Sequence, residues 1–218
     1  MMSSTSRKTD FGFLKIYLTT DRRLLPEGRF LEGVEKALAA GIRAIHLREK
    51  DLSPENLLPL AKEVLSLTRN YGARLLVNTH VDLANEIGAD GVQLTEKCPS
   101  VAEIKRRFPH LLAGVSTHSL ESAMDAESKG ADFITFSPVF DTPSKRVYGK
   151  PQGLQKLREI ANRIAIPVVA LGGIKLENVS SVISRGAFGI ALISGVWMSP
   201  NIEDTIRQLI QLTSGDLL

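Results

Sequence analysis

Cysteine is all but missing from this 218-residue chain, which has one, Cys98. A lone thiol closes no internal disulfide and is too few for a zinc site. Its scarcity fits a reducing cytoplasm, the compartment we expect. Long apolar runs are missing too. No stretch approaches the roughly 18 residues of a membrane span, and the longest, such as Pro167–Leu171, have the length of a strand. Neither charge is in large excess: 27 Lys and Arg face 24 Asp and Glu, for a net charge of +3. That balance is too even to read a nucleic-acid binder from charge. Residues 1–10 are polar, and no apolar stretch with a small-residue cleavage site follows. We read them as a short mobile arm rather than an export signal. Neither nucleic acid nor membrane is expected as a partner.

What is present is an ordinary globular composition, 43% apolar and 23% charged. It supplies ample side chain for a core and excludes bulk disorder. The length suits one domain, over residues 11–218. Within it, short β-type runs alternate with helical patterns. The strands are predicted at Lys15–Thr19, Arg43–Leu47, Arg74–Asn78, Gly91–Leu94, Leu111–Ser116, Phe133–Phe136, Pro167–Leu171 and Gly189–Ile193. Between them, apolar residues recur at helical spacing, as at Phe30, Leu31, Val34, Ala37 and Leu38. Ser53 and Pro54 mark the start of a helix over Pro54–Asn70. Eight strands alternating with eight helices imply parallel strands joined by right-handed crossovers. In one closed sheet that is the (β/α)8 TIM barrel, an α/β fold. The alternative, a doubly wound open sheet, usually carries a Gly-rich first turn, which Thr19-Thr20-Asp21 lacks. A Gly followed by a small or branched residue ends the helices at Gly41, Gly88, Gly130 and Gly186. These precede every second strand and suit left-handed helix ends, which suggests a quarter-barrel rhythm.

Barrels of this kind place their chemistry at the C-terminal ends of the strands. Gly172-Gly173 follows the seventh strand and Ser194-Gly195 follows the eighth, the usual place for a phosphate held by backbone N–H groups. Arg48 and Lys50 leave the second strand, and Lys145 leaves the sixth-strand loop. Three cations at one mouth suit a polyanion such as diphosphate. The competing reading is a solvated cluster with Glu49 as partner. His46, His80 and His118 are candidate acid–base groups because imidazole titrates near neutral pH. His46 is the best placed of them if it points inward, and a hydrogen-bonded structural role remains open for each.

The ordered segments Tyr17-Leu18-Thr19-Thr20-Asp21, His46-Leu47-Arg48-Glu49-Lys50, Gly114-Val115-Ser116-Thr117-His118-Ser119, Ser137-Pro138-Val139-Phe140 and Ala170-Leu171-Gly172-Gly173-Ile174 resemble the thiamin phosphate synthase/TenI superfamily. The likeness runs from about Lys15 to Leu212. It implies a barrel acting in thiamin biosynthesis, with a homodimer as the expected assembly. The synthase joins hydroxymethylpyrimidine diphosphate to hydroxyethylthiazole phosphate and releases diphosphate. Diphosphate leaves first, and the thiazole nitrogen attacks the pyrimidine cation. For that activity the resemblance implies that Arg48, Lys50, Ser116, Thr142, Ser144 and Lys145 hold diphosphate. Gly172, Gly173, Ser194 and Gly195 would hold the thiazole phosphate, and Asn78 belongs to the same substrate site. The synthase also uses Mg2+, held by two aspartates whose positions here are Thr79 and Cys98. Neither is a hard carboxylate ligand. Glu96 stands nearby, but Lys97 beside it counts against a cation site. We therefore expect no metal and no cofactor, with Mg2+ entering only if the chain acts as a synthase.

In detail the chain is similar to the TenI branch, which carries His46 in place of the synthase's Gln and Gln93 in place of its His. TenI-type proteins act as thiazole tautomerases, moving a proton without a metal. The tautomerase uses a His where this chain has Pro138. Proton transfer would then fall to His46 or His118, with Lys50 beside them as the third expected catalytic group. Three readings stay open at this point: a thiazole phosphate tautomerase, which we favour, the synthase, and a non-catalytic regulatory homologue.

Overall fold

The computed structural model describes residues 10–97, 100–142 and 150–214. Cys98, Ser144, Lys145 and the predicted arm except Asp10 lie outside them. Eight parallel strands close into a barrel in chain order. They are β1 (Ile16–Thr19), β2 (Ala44–Leu47), β3 (Arg74–Asn78), β4 (Gly91–Leu94), β5 (Leu112–Thr117), β6 (Phe133–Phe136), β7 (Val168–Leu171) and β8 (Gly189–Leu192). The helices around them are α1 (Phe30–Ala39), α2 (Pro54–Asn70), α3 (Val81–Ile87), α4 (Val101–Arg107), α5 (Leu120–Ser128), α6 (Gly153–Arg163), α7 (Val179–Ile183), α8 (Ser194–Trp197) and α9 (Ile202–Thr213). This is the predicted fold, with one addition. The four-residue α8 follows β8 directly, too short to leave a periodic signal.

The strands are buried on both faces, which is why they read as continuous apolar runs. Their outward residues pack under the helices in one large cluster. Their inward residues split by height. Low in the barrel, Tyr17, Ala44, Leu76, Phe133, Val169 and Ala191 pack around Leu14, which a 3-10 turn over Gly12–Lys15 pushes into the bottom. Higher up, β1 to β6 turn polar, with Thr19, His46, Asn78, Gln93, Ser116 and Thr135, while Leu171 and Ala191 keep the β7 and β8 side of the cavity apolar. That gradient from apolar plug to polar floor sets where a ligand can sit.

The four predicted helix-end glycines all have positive φ. So does Gly72, at φ 60° before β3, so the rhythm is not confined to alternate units. A tighter repeat lies in Gly88-Ala89-Asp90 and Gly130-Ala131-Asp132. The N–H of Asp90 donates to the Leu75 carbonyl, and its carboxylate accepts the Leu75 N–H, both at 2.9 Å. Asp132 does the same to Ala113, at 2.9 and 2.7 Å. Each aspartate pins the start of the preceding strand at the bottom of the barrel, with Arg69 or Lys105 as its cation.

Candidate active site

The C-terminal ends of the strands open into a cavity of about 470 Å3. Its floor is built by the register. Thr19 of β1 lies beside His46 of β2, and Asn78 of β3 lies beside Gln93 of β4. His46 is held on three sides. Its Nδ1 lies 3.1 Å from Thr19 Oγ1, its Nε2 lies 3.3 Å from Asn78 Oδ1, and its ring stacks on Tyr17 at 5.4 Å. Gln93 Nε2 donates to Ser116 Oγ at 3.2 Å and Thr135 Oγ1 at 3.4 Å. Two buried polar atoms of this floor, Tyr17 OH and Gln93 Oε1, have no protein partner. They are available to polar groups of a bound ring or to ordered water.

Burial, reinforced by the nearby charge of Arg48, pushes the His46 pKa down to about 3, against a weaker upward pull from Asn78. The imidazole is therefore neutral at physiological pH, and the near-neutral titration expected of His46 does not hold. Its effect is on stability instead. Between about pH 6.5 and 3 the unfolded chain protonates this group and the folded chain does not. Stability is fully present above pH 6.5 and falls as pH drops, at about 1.4 kcal/mol per pH unit from this group. His46→Gln removes that dependence. Urea unfolding from pH 7 to 4 should give a shallower acid loss for the variant, and parallel curves would refute the assignment.

His118 is arranged differently. Its Nδ1 lies 2.7 Å from the Ser137 carbonyl oxygen, which accepts and so requires a proton on Nδ1. In the neutral ring Nε2 is then the basic nitrogen, and His118 lines the cavity. His80 does not reach it. With Thr79, Asp82, Glu103 and Arg107 it lines a second cavity beside α3 and α4.

The rim carries Arg48, Lys50 and Lys97, with Glu96 as the one carboxylate lining the cavity among the described residues. Arg48 and Lys50 are close enough that the charge of Arg48, helped by partial burial, lowers the Lys50 pKa. Glu49, between them, is not their counter-ion, as the cluster reading supposed. Its fully buried carboxylate accepts from Thr20 Oγ1 at 2.5 Å, from the Arg22 N–H at 3.0 Å and from Arg22 Nη1 at 3.3 Å. Thr20 Oγ1 in turn accepts the Arg48 N–H at 3.0 Å. Glu49 thus ties the β1 loop to the β2 loop and leaves the rim cationic.

A cavity of about 70 Å3 adjoins the main one and shares Leu171, Ala191 and Ile193 with it. Thr142, Gly172 and Gly173 line it. Both glycines have positive φ, and a Cβ on Gly172 would lie 2.7 Å from Pro138 Cα. The Val139 and Phe140 N–H groups donate to the carbonyls of Leu171 and Gly172. Close packing of two loops therefore demands these glycines whether or not phosphate binds. Ser194 and Gly195, at the start of α8, line a separate cavity with Lys175 and Met198. The structure thus gathers His46, Arg48, Lys50, Asn78, Ser116 and His118 in one cavity and Thr142, Gly172 and Gly173 in its neighbour, while Ser194 and Gly195 face another. The sequence reading missed Tyr17 and Thr135 as floor residues. Their inward parity along β1 and β6 was the signal available.

A family model described as thiamine monophosphate synthase matches residues 16–196. The chain belongs to the thiamine monophosphate synthase/TenI family. Among curated members, a Geobacter sulfurreducens protein provisionally named thiamine-phosphate synthase is 45% identical, over 94% of this chain and 95% of that one. A thiamine-phosphate synthase of Pyrococcus horikoshii is 40% identical, over 93% and 97%. The solved thiamine phosphate pyrophosphorylase of Pyrococcus furiosus superposes with a TM-score of 0.86 at 37% identity, covering 94% of this chain and 98% of that one. The family's place in thiamin biosynthesis therefore extends to this chain. No helix among the described residues is long and apolar enough to cross a membrane.

The Mg2+ that the synthase branch uses does not fit the described residues. Thr79, at one aspartate position, accepts from Asn78 Nδ2 and lines the second cavity, away from the rim. Among the described residues no three His, Cys, Asp or Glu side chains cluster as a metal site. Glu96 stands beside Lys97 on the same rim. Mg2+ asks for carboxylates and near-octahedral oxygen geometry.

Proposed function

We propose that the protein is a thiamine-phosphate synthase, joining hydroxymethylpyrimidine diphosphate to hydroxyethylthiazole phosphate. This reverses the order of the first two readings from sequence. The observation that carries it is the cationic rim, Arg48 and Lys50 with Lys97, set over a neutral polar floor in one cavity. An isomerase needs an acid–base group at its centre, and a pKa of about 3 leaves the central His46 a weak proton acceptor. A transferase needs to hold a diphosphate and stabilise its departure. The names of the relatives agree with this reading.

In the reaction, the bond from the pyrimidine methylene carbon to the diphosphate oxygen breaks. Its electron pair leaves with diphosphate. The thiazole nitrogen lone pair then forms the new carbon–nitrogen bond, giving thiamin phosphate and free diphosphate. Charge grows on the leaving oxygen, where Arg48 and Lys50 stabilise it more than they stabilise the bound ester. The floor of Tyr17, His46, Asn78 and Gln93 receives the pyrimidine, and His46 serves there as a fixed neutral hydrogen-bonding group. Gly172 and Gly173 border the small adjoining cavity and receive the thiazole phosphate.

His118 supports a second reading, the thiazole tautomerase, because its Nδ1 is tied to the Ser137 carbonyl while its ring lines the cavity. Incubating the purified chain with both phosphorylated precursors separates the two. Thiamin phosphate formed well above background is the expected result. No product, together with proton exchange on the thiazole carboxylate phosphate that His118→Ala abolishes, would replace the synthase by the tautomerase. Neither turnover, with phosphate ligands still bound, would leave a regulatory homologue.

A further inference from the structure

We infer that this protein holds diphosphate without a divalent metal, and that Lys97 supplies part of the charge a metal would bring. The inference rests on the synthase reading and follows from the misfit just described. The rim of the main cavity carries three described cations, Arg48, Lys50 and Lys97, against one carboxylate, Glu96. Glu49 has both of its oxygens engaged by Arg22 and Thr20 inside the protein rather than by the rim cations. A divalent cation entering here would meet like charge and too few hard oxygen ligands. A diphosphate entering alone meets two ammonium groups and a guanidinium, which bind phosphate oxygens through charge-assisted hydrogen bonds. Lys97 comes from the β4 loop, on a different strand end from Arg48 and Lys50. It therefore reaches the cavity from a second strand end, and its exposed flexible stem suits a point-charge contact.

The test is calorimetric binding of inorganic diphosphate to the full chain, once with excess EDTA and once with Mg2+. The expected result is an affinity within about threefold in the two buffers and an affinity about tenfold weaker in Lys97→Met, the loss of about one charge-assisted contact. Lys97→Arg should restore most of the binding. Lys97 is exposed, so both variants should melt with the parent chain. Glu96→Gln serves as a second probe: it should tighten metal-free binding, whereas a metal-bridged site would lose binding with that carboxylate. Tight binding only with Mg2+ would overturn the inference and leave the synthase reading standing. Equal binding by the parent chain and Lys97→Met would overturn the role of Lys97. No diphosphate binding in either buffer would remove the synthase reading, and the inference with it.

Discussion

Arg48→Met should lower the rate of thiamin phosphate formation by about 10²–10³-fold, the usual effect of removing one preorganised group that faces developing negative charge. The loss should fall mainly on kcat, because the charge on diphosphate is largest as the ester bond breaks. Methionine keeps the length and apolar stem of the half-buried arginine, so the melting temperature should barely move. Lys50→Met should cost less, since Lys50 is exposed and offers a single charged group in place of a planar fork. Steady-state kinetics of the two variants with saturating thiazole phosphate check this. An Arg48→Met protein with unchanged kcat would show that the rim does not stabilise the leaving group.

The largest stability effect should come from Arg22, at the other end of the same network. Glu49 is fully buried, and the Arg22 guanidinium is the charge it meets, at 3.3 Å. Arg22→Leu leaves that carboxylate with a hydroxyl and a backbone N–H but no cation. The Arg22 side chain is 31% exposed, so losing its charged hydrogen bond costs about 2 kcal/mol, less than breaking a fully buried pair, a fall in melting temperature on the order of 5 °C for a chain of this size. Glu49→Gln should cost much less. It removes the buried charge, and Arg22 keeps its two bonds to Asp51, at 2.7 and 2.8 Å. The double variant should then be more stable than Arg22→Leu alone, because the orphaned charge is gone. Denaturant unfolding of the three proteins decides it, and additive losses would contradict the pairing.

The barrel was legible because its evidence is spread along the chain. Eight apolar runs, each buried on both faces, left eight signals, and alternation with helices fixed their parallel order. Strand-end residues such as Arg48, Asn78 and Ser116 followed from counting to the end of each run. What stayed hidden depends on pairings that sequence position does not record. Glu49 sits between Arg48 and Lys50 in the chain, yet its partner is Arg22, 27 residues away. His46 looked like a titrating base because the burial that does most to displace its pKa, ahead of the charge of Arg48 two residues on, comes from the fold. Gly172 and Gly173 read as a phosphate cradle or as a tight turn of their own loop. The loop at Pro138 that also requires them is a neighbour only once β6 and β7 pair. Ser144, Lys145 and Cys98 fall outside the described residues, so the structure adds nothing to what the resemblance implies for them.

The chain's one tryptophan, Trp197, is buried in α8, and its indole N–H donates to the Thr19 carbonyl at 2.7 Å. Thr19 is also the residue whose hydroxyl meets His46 on the cavity floor. Intrinsic fluorescence excited at the indole therefore arises from a single fluorophore one residue removed from the substrate floor. Ligand entry and local loosening of the β1–β8 seam can be followed in the untagged protein by emission wavelength and quenching. No label or second tryptophan confuses the signal.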